Sequence, residues 1–215
     1  MTLKIAQTLD GRIATANGHS RWVSGPASRE VAHSMRAAHD AILVGIGTVL
    51  VDDPELTVRL AVGPNPVRVV VDSTLRVPPN AAVFARDGTS VIVVTIASTK
   101  GDRANAIRRT GADLLTVPEW RGRVDLAIAL QELRDRGVQS VLVEGGAQIA
   151  TEVIRRRLCD ELVVFIAPKV VGSGIDAVGD LGTVDMTEAV QFTSSTVEVL
   201  DGDVVFRGKP LWPAG

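Results

Sequence analysis

The sequence is poor in several residue types that particular functions require. It has one cysteine, Cys159, no tyrosine, and aromatic residues at 3% of its 215 positions. One cysteine can form neither an internal disulfide nor a cysteine-based zinc cluster. So few aromatic rings argue against a stacking platform for single-stranded nucleic acid.

The sequence also lacks membrane and export signals. No apolar run approaches the roughly 18–20 residues that span a bilayer, and the start, MTLKIAQTLDGR, has no signal-peptide pattern. The formal net charge is only −2, which gives no indication of a nucleic-acid or membrane partner. We therefore expect a soluble, cytoplasmic protein whose residues 1–215 form a single domain.

Apolar runs alternate with helical patterns along most of the chain. The predicted strands are rich in valine and isoleucine, which is typical of strands covered on both faces: residues 3–9, 41–45, 67–72, 90–95, 113–118, 140–144 and 161–168. Helical patterns occupy residues 27–38, 102–111, 123–137 and 147–158. This alternation predicts an α/β fold with a mostly parallel central sheet flanked by helices. The turn signal DGD within residues 189–208 predicts a C-terminal antiparallel hairpin.

Two of the predicted strands end in glycines that lead into helical sequence. Gly45 and Gly47 follow the first, and Gly145 and Gly146 follow the second. Glycine lets backbone N–H groups approach a ligand, and a helix N-terminus favours an anion such as a pyrophosphate. The match to the G-x-G-x-x-G fingerprint is incomplete, because Leu50 occupies the third position. A tight turn with close packing explains each glycine pair equally well.

Charged residues suggest a second anion site. Arg29, His33 and Arg36 recur on one face of the helix predicted around them, and we expect Arg29 and His33 to be solvated there. Arg36 and Arg59 could clamp a phosphate, because guanidinium donors match phosphate oxygens in pairs. Helical periodicity alone cannot bring these two arginines together.

A lysine and three carboxylates also lie at notable positions. Lys4 interrupts an apolar strand, where it could extend its amine to an edge. Glu144 ends an apolar strand directly before the second glycine pair, a position where carboxylates are often functional. Asp52 and Asp53 look like a turn before a proline, most clearly for Asp53.

The three histidines have no companions at metal-ligand spacing, so we predict no metal site.

Three motifs in order carry a family resemblance. KIAQTLDGRIATANGHSRWVSG, MRAAHDAILVGIGTVLVDDPELTVR and VLVEGGAQIATEVI resemble the reductase domain of bifunctional riboflavin-biosynthesis proteins, a domain similar in fold to dihydrofolate reductase. The resemblance implies an NADPH-dependent oxidoreductase that acts on 5-amino-6-(5-phosphoribosylamino)uracil or its diaminopyrimidinone precursor. It also implies a homodimer.

The resemblance further assigns residues to each ligand. Those matching cofactor positions are Ala6, Trp22, Thr48, Asp52, Ser73 or Thr74, and the stretch from Gly145 through Gly146, Ala147, Gln148 and Ile149 to Glu152. Those matching substrate positions are Ser20, Arg36, Leu56, Arg59 and Glu144. Lys4 and Glu144 are the candidates for proton handling, since ionisable groups at strand ends beside a cofactor suit that role.

Preference for NADPH over NADH is expected from the segment after residues 67–72. Ser73, Thr74 and Arg76 could meet a 2′-phosphate there, although Asp72 is an acid of the kind that often selects NADH.

The chain departs from the bifunctional proteins in one respect. It lacks the H-x-E … P-C-x-x-C signature of their zinc deaminase domain, so no deaminase is expected. Two alternatives remain open: a dihydropterin or dihydrofolate reductase-like paralogue, and a non-catalytic nucleotide-binding scaffold. The two arginines favour a phosphorylated substrate over a pterin, and the polar groups at strand ends argue against a scaffold.

Overall fold

A computed structural model describes residues 1–96 and 101–213. Its helices are α1 (Pro26–Ala37), α2 (Ile46–Asp52), α3 (Asp102–Arg109), α4 (Leu126–Asp135) and α5 (Ala147–Arg155). Its strands are β1 (Thr2–Thr8), β2 (Arg12–Thr15), β3 (Ala41–Gly45), β4 (Val67–Val71), β5 (Val91–Ile96), β6 (Asp113–Val117), β7 (Glu119–Trp120), β8 (Arg123–Val124), β9 (Val141–Val143), β10 (Glu161–Ala167), β11 (Gly174–Asp176), β12 (Gln191–Leu200) and β13 (Asp203–Leu211).

The chain groups into two compact units. Unit 1 comprises Met1–Ala32 with Leu142–Gly215, and unit 2 comprises His33–Val141. The division falls inside helix α1. The prediction of a single domain stays a prediction beside this grouping.

Unit 2 is built on four parallel strands. They pair in the order β3, β4, β5, β6, and every residue of β3 and of β5 is buried. Helices and loops cover the apolar side chains; Val70, Val83 and Val93 are fully enclosed in this core. Strands buried on both faces are nearly continuous apolar runs. The polar exceptions in β4 and β5 are Arg68 and Thr95, which are fully buried and donate to the Ala85 and Ser73 carbonyls.

Unit 1 combines parallel and antiparallel pairing. β1 runs parallel to β10 over seven residue pairs and parallel to β9 over two. β13 pairs with β10 in the antiparallel direction, and β12 pairs with β13 in the same way. Asp201 and Gly202 form the two-residue turn between β12 and β13, with φ angles of 49° and 91°. Positive φ angles at both turn residues match the right-handed twist of the flanking strands. The predicted α/β class, the mostly parallel pairing and the C-terminal hairpin are confirmed.

The local differences from prediction concern short elements. Residues Arg123–Val124, predicted as helical, form β8 and pair with β7, so α4 begins only at Leu126. Asp125 caps that helix by accepting hydrogen bonds from the N–H groups of Ala127 and Ile128, at 3.0 and 3.3 Å.

A buried carboxylate in β13 holds the start of helix α1. Asp203 Oδ2 accepts hydrogen bonds from the Gly25 N–H at 2.7 Å and from the Ser28 hydroxyl at 2.6 Å, and the residue is only 4% exposed. Because Gly25 directly precedes Pro26, the first residue of α1, these bonds fix the entry of the chain into the helix.

We predict that Asp203→Ala destabilises the protein by about 1–3 kcal/mol, the cost of leaving a buried donor unpaired. Urea unfolding measures this change. Asp201→Asn, in the exposed turn two residues earlier, is the matched control and is expected to change stability by less than about 0.5 kcal/mol. Equal losses for the two variants would show that the Asp203 contacts do not stabilise the fold.

Candidate functional site

Lys4 and Glu144 form an ion pair inside unit 1. The register of β1 on β9 pairs Leu3 with Val143, so the next residue of each segment is Lys4 and Glu144. The Lys4 Nζ lies 3.8 Å from Glu144 Oε2, and the two side chains are 14% and 10% exposed. Lys4 Nζ also lies 5.3 Å from the centre of the Phe165 ring. The lysine therefore does not extend to an edge; it is a nearly buried cation paired with a nearly buried carboxylate.

Burying such a pair costs desolvation free energy. The attraction between the two charges offsets only part of this cost, so buried ion pairs contribute little net stability, whereas loss of one partner is strongly destabilising. A mid-strand lysine is thus poorly explained by folding alone. Its position beside a strand-end glutamate gives unit 1 a proton donor and acceptor in contact.

The second glycine pair begins helix α5. Gly146 is its N-cap residue, and in the described chain no side chain caps this end and no acidic residue lies in the first turn. A Cβ on Gly145 would lie 2.8 Å from the Ile149 Cβ, so close packing explains Gly145. The N-terminus formed by Gly146, Ala147 and Gln148 keeps the geometry that favours an anion.

Trp22 and Arg29 stack on one another in unit 1. The Arg29 guanidinium lies 4.4 Å from the Trp22 ring centre, and Trp22 remains 66% exposed. Lys169 Nζ fixes the segment by donating to the carbonyls of Trp22 and Val23, at 2.7 and 2.8 Å. The expectation that Arg29 is simply solvated is wrong, because its charge lies on the ring. The other two predicted residues of this part of unit 1, Ser20 and Ala6, are half-buried.

In unit 2 the first glycine pair leads into the short helix α2. Gly45 ends β3, and Gly47 lies within α2 without a left-handed backbone. A Cβ added at Gly47 would meet nothing within 4 Å. Neither backbone conformation nor packing therefore requires glycine here, although glycine weakens a helix. Open space beside Gly47 and the half-buried Thr48 fits the approach of a ligand.

The two aspartates after this helix differ in role. Asp52 is the last residue of α2, and Asp53 adopts a left-handed conformation at φ 41°. The Asp53 carboxylate accepts a hydrogen bond from the Ala82 N–H at 2.8 Å. This confirms the structural interpretation of Asp53.

Arg36 and Arg59, which helical periodicity could not connect, both contact Thr57. Arg36 Nη1 donates to the Thr57 carbonyl at 3.0 Å, and Arg59 Nη1 donates to the Thr57 hydroxyl at 3.1 Å. Arg59 also pairs with Glu55. The two guanidinium groups thus both contact one residue, and both already have partners within the protein.

His33 supports the same segment and is not solvated as expected. It is 7% exposed, and its Nδ1 accepts the N–H of Arg59 at 2.9 Å. Leu56 is 2% exposed and holds φ 55°, a strained conformation for a leucine. Its side chain belongs to the core, so only its backbone could face a ligand.

The segment after β4 is partly structural. The Ser73 hydroxyl accepts a hydrogen bond from the Val124 N–H at 3.0 Å, whereas Thr74 is exposed. Asp72 is fully buried and accepts the Val77 N–H at 2.8 Å. The expected complication from Asp72 is therefore absent, since its carboxylate closes its own turn rather than facing a ribose.

Residues 1–96 and 101–213 give little support for a metal centre, a membrane-spanning helix or a nucleophilic cysteine. No cluster of three or more metal-ligating side chains occurs there, and no helix in those ranges has the length and apolar character needed to cross a bilayer. Cys159 is buried, and burial raises the pKa of its thiol to about 11. A thiol with so high a pKa is a poor nucleophile near neutral pH.

Sequence reasoning missed the residues whose roles depend on tertiary contacts. Thr57, Phe165 and Lys169 were not singled out. Thr57 and Phe165 carry no local signal, because each acts through a neighbour that the chain brings in from elsewhere. Lys169, just after the end of β10, could have been suspected from its position at a strand end.

The strand order, the helices and these polar groups at strand ends define an α/β protein of the dihydrofolate reductase-like fold. The dihydrofolate reductase of Enterococcus faecalis superposes with a TM-score of 0.51 at 12% identity, covering 97% of this chain and 95% of that one. A more detailed match is to the RibD C-terminal domain, whose family model matches residues 1–206. The chain belongs to this family.

Individual relatives agree. The chain is 39% identical, over 94% of each protein, to the 2,5-diamino-6-ribosylamino-4(3H)-pyrimidinone 5′-phosphate reductase of Methanothermobacter thermautotrophicus. It is 37% identical to the riboflavin biosynthesis protein RibD of Aquifex aeolicus, matching 95% of this chain and 56% of that protein. A solved RibD structure from Acinetobacter baumannii has a TM-score of 0.84 at 29% identity, over 98% of this chain and 57% of that one. The chain thus spans about half the length of these two RibD relatives.

Gly47 offers a direct test of ligand approach. We predict that Gly47→Ala raises stability by about 0.5–1 kcal/mol, because alanine favours a helix and has room there, while weakening nucleotide binding. Urea unfolding and calorimetric titration with NADPH measure the two effects.

Gly145→Ala is the matched comparison, and it is expected to lower stability by crowding Ile149. Undiminished NADPH binding by Gly47→Ala would argue that no ligand approaches this helix.

Proposed function

We propose that this protein is an NADPH-dependent reductase that converts the ribosyl group of a phosphorylated aminopyrimidine to the ribityl form, in riboflavin biosynthesis. The substrate proposed is 5-amino-6-(5-phosphoribosylamino)uracil or its diaminopyrimidinone precursor. The observation that carries the proposal is the nearly buried Lys4–Glu144 pair, within a chain that resembles a named pyrimidinone phosphate reductase over 94% of both lengths.

Each unit has a feature that would fit part of a dinucleotide cofactor. In unit 1 the uncapped N-terminus of α5 would suit a pyrophosphate, and in unit 2 the open space at Gly47 would admit a ligand beside Thr48. Trp22 presents an exposed ring. When bound, NADPH would supply the hydride from C4 of its nicotinamide ring.

The protein's own groups would handle charge and protons. In the reduction, the C1′–O4′ bond of the ribosylamine would break as the nitrogen lone pair forms a protonated imine. Hydride added at C1′ would return that electron pair to the nitrogen, and O4′, which keeps the electron pair of the broken bond, would take up a proton. Lys4 and Glu144 are proposed to hold and move this proton, since they are a cation and a base in contact at low exposure.

The substrate phosphate would be held by Arg36 and Arg59. Their convergence on Thr57 supports this role, and it favours a phosphorylated substrate over an unphosphorylated pterin. Binding would require the phosphate to replace Glu55 at Arg59. A remote phosphate held in this way contributes binding energy for positioning the reacting sugar.

A homodimer is proposed as well. Edge strand β12 has a single charged residue, Glu198, and exposes Val197 and Val199 by 68% and 69%. Natural proteins protect or cover such edges, and a second copy would do so. The cytoplasmic location stays a prediction.

Substitution of the buried pair tests the mechanism. We predict that Lys4→Met and Glu144→Gln each lower kcat at least about tenfold, at the low end of general acid–base contributions, while NADPH still binds. Single-turnover kinetics and cofactor titration measure the two properties.

Lys209→Met, an exposed lysine in β13, is the control and should turn over normally. The same reaction run with 4-deuterated NADPH should place deuterium in the ribityl product. Normal turnover in both pair variants would refute the assignment, and a product without deuterium would refute hydride transfer from the cofactor.

Substitution of the clamp tests the substrate class. Arg36→Ala and Arg59→Ala are predicted to weaken substrate binding about tenfold or more, since a charged hydrogen bond is worth roughly 1.5–3 kcal/mol, with NADPH binding little changed. Isothermal titration with each ligand separates the effects.

Arg86→Ala, an exposed arginine elsewhere in unit 2, provides the control. A parallel loss of affinity for both ligands would indicate that the two arginines support the fold instead.

A further inference from the structure

The segment between β2 and α1 carries Trp22, which the proposed function assigns to the cofactor. Residues 20–24, the tryptophan loop, form neither helix nor strand. The loop is tied at both ends within unit 1. Before it, the His19 N–H donates to the Thr15 hydroxyl at 3.2 Å. After it, the Gly25 N–H donates to the buried carboxylate of β13 at 2.7 Å.

Lys169 anchors the middle of the tryptophan loop. Its Nζ donates to the carbonyls of Trp22 and Val23, at 2.7 and 2.8 Å. Hydrogen bonds from a charged donor are shorter and stronger than those between neutral groups, and two consecutive carbonyls that face one ammonium fix the peptide between them. The position of Trp22 therefore depends on a residue 147 positions away in the chain.

The turn between β1 and β2 holds the backbone around Lys169. The Leu9 N–H donates to the Lys169 carbonyl at 2.8 Å. The Asp10 carboxylate accepts the N–H of Val171 at 3.2 Å and the N–H of Gly172 at 2.7 Å. These bonds hold the chain where the Lys169 side chain leaves it.

The Asp10 carboxylate keeps these contacts near neutral pH. A hydrogen bond from the Thr8 hydroxyl, at 2.6 Å, and those from the Gly172 and Val171 N–H groups lower the pKa of Asp10 to about 2. The carboxylate is therefore ionised throughout the physiological range. A change of activity with pH near neutrality would accordingly not come from this anchor.

The Trp22 side chain is held as well as its backbone. The Arg29 guanidinium lies 4.4 Å from the ring centre, while 66% of Trp22 stays exposed. A ring that is fixed and still exposed is ready to be covered by a flat ligand. Fixing a recognition group before binding lowers the conformational entropy that is lost when the ligand binds.

We propose that Lys169 is a positioning residue of the reductase, which holds the tryptophan loop in the conformation that receives the cofactor, and that Asp10 holds Lys169. This inference rests on the proposed function, in which Trp22 faces the cofactor. It adds two residues that act through the loop rather than by touching a ligand. Without the anchor, the loop would have to be ordered at the moment of binding, and affinity would fall.

Lys169→Met tests the anchor by separating binding from turnover. It should raise the Kd for NADPH, measured by calorimetry on the whole chain, about threefold to tenfold, the factor that corresponds to ordering one side chain. At saturating NADPH and substrate, kcat should stay within about twofold, because the Lys4–Glu144 pair is untouched. Lys169→Arg keeps a charged donor and should restore most of the affinity. Lys209→Met, at an exposed position of the same unit, should change neither value.

Fluorine NMR of protein labelled with 5-fluorotryptophan reports on the loop directly. The chain has three tryptophans, and the resonance of Trp22 is identified by its loss in Trp22→Phe. Without ligand, Lys169→Met should shift or broaden the Trp22 resonance. It should leave the resonance of Trp120, which lies in unit 2, unchanged.

Asp10→Ala tests the second step of the proposal. It should raise the Kd for NADPH in the same range as Lys169→Met does. In the Lys169→Met background it should add less than about twofold, because a residue that acts through Lys169 then has nothing to position. Full additivity of the two substitutions would refute the role of Asp10. Urea unfolding confirms that every variant is folded.

The outcomes separate this inference from the function on which it rests. Unchanged NADPH affinity in Lys169→Met, with or without a change in kcat, overturns the inference and leaves the reductase proposal standing. A weaker affinity that comes with a lower urea midpoint and a changed Trp120 resonance also overturns it, because Lys169 would then support the fold as a whole. Failure of the wild type to bind NADPH overturns the proposed function, and the inference with it.

Discussion

Parallel strands that are covered on both faces leave only their ends for polar chemistry. In unit 2, β3 and β5 are buried at every residue, so a polar side chain inside them needs a partner within the protein, as Thr95 of β5 has in the Ser73 carbonyl. The polar residues accordingly gather where strands stop: Thr48 soon after β3, and Asp72, Ser73 and Thr74 after β4. In unit 1, Glu144 follows β9 in the same way. Lys4 lies within β1, as the fully buried Arg68 lies within β4 and Thr95 within β5. The ion pair with Glu144 and the contact with the Phe165 ring make the position of Lys4 tolerable.

Much of the fold could be predicted because its determinants are local. Strand β3 is a continuous apolar run, and β4, β5 and β10 each contain one polar residue in such a run. The turn at Asp201 and Gly202 is marked by the residues that occupy it. The short pairs such as β7 with β8 escaped prediction, since two-residue strands carry no periodicity. The sequence also identified Lys4 and Glu144 separately, but their contact depends on the register of β1 on β9, and pairing register is not encoded in either segment alone. His33 was misjudged for a related reason: its buried partner, the Arg59 N–H, lies 26 residues away.

Several candidate ligand-binding groups already have partners within the protein. Arg59 pairs with Glu55, and Arg36 donates to the Thr57 carbonyl. Internal partners hold long side chains in one place, which lowers the entropy lost when a ligand binds. They also compete with the ligand where they carry the same charge, as Glu55 does for a phosphate. In the proposed clamp, a phosphate would therefore have to displace the Glu55 carboxylate from Arg59, whereas the Thr57 carbonyl that orients Arg36 is neutral.

The net charge of the chain does not indicate which arginines could bind an anionic ligand. The chain carries 23 basic and 25 acidic residues, a balance that gives no hint of anionic ligands. A phosphate monoester, however, is recognised by the few donors within hydrogen-bonding distance, and charges beyond about 10 Å are screened at physiological salt. The two arginines that contact Thr57 would therefore suffice for the proposed phosphate site, and they are a small share of the basic residues. A strongly basic surface would instead attract polyanions of many kinds.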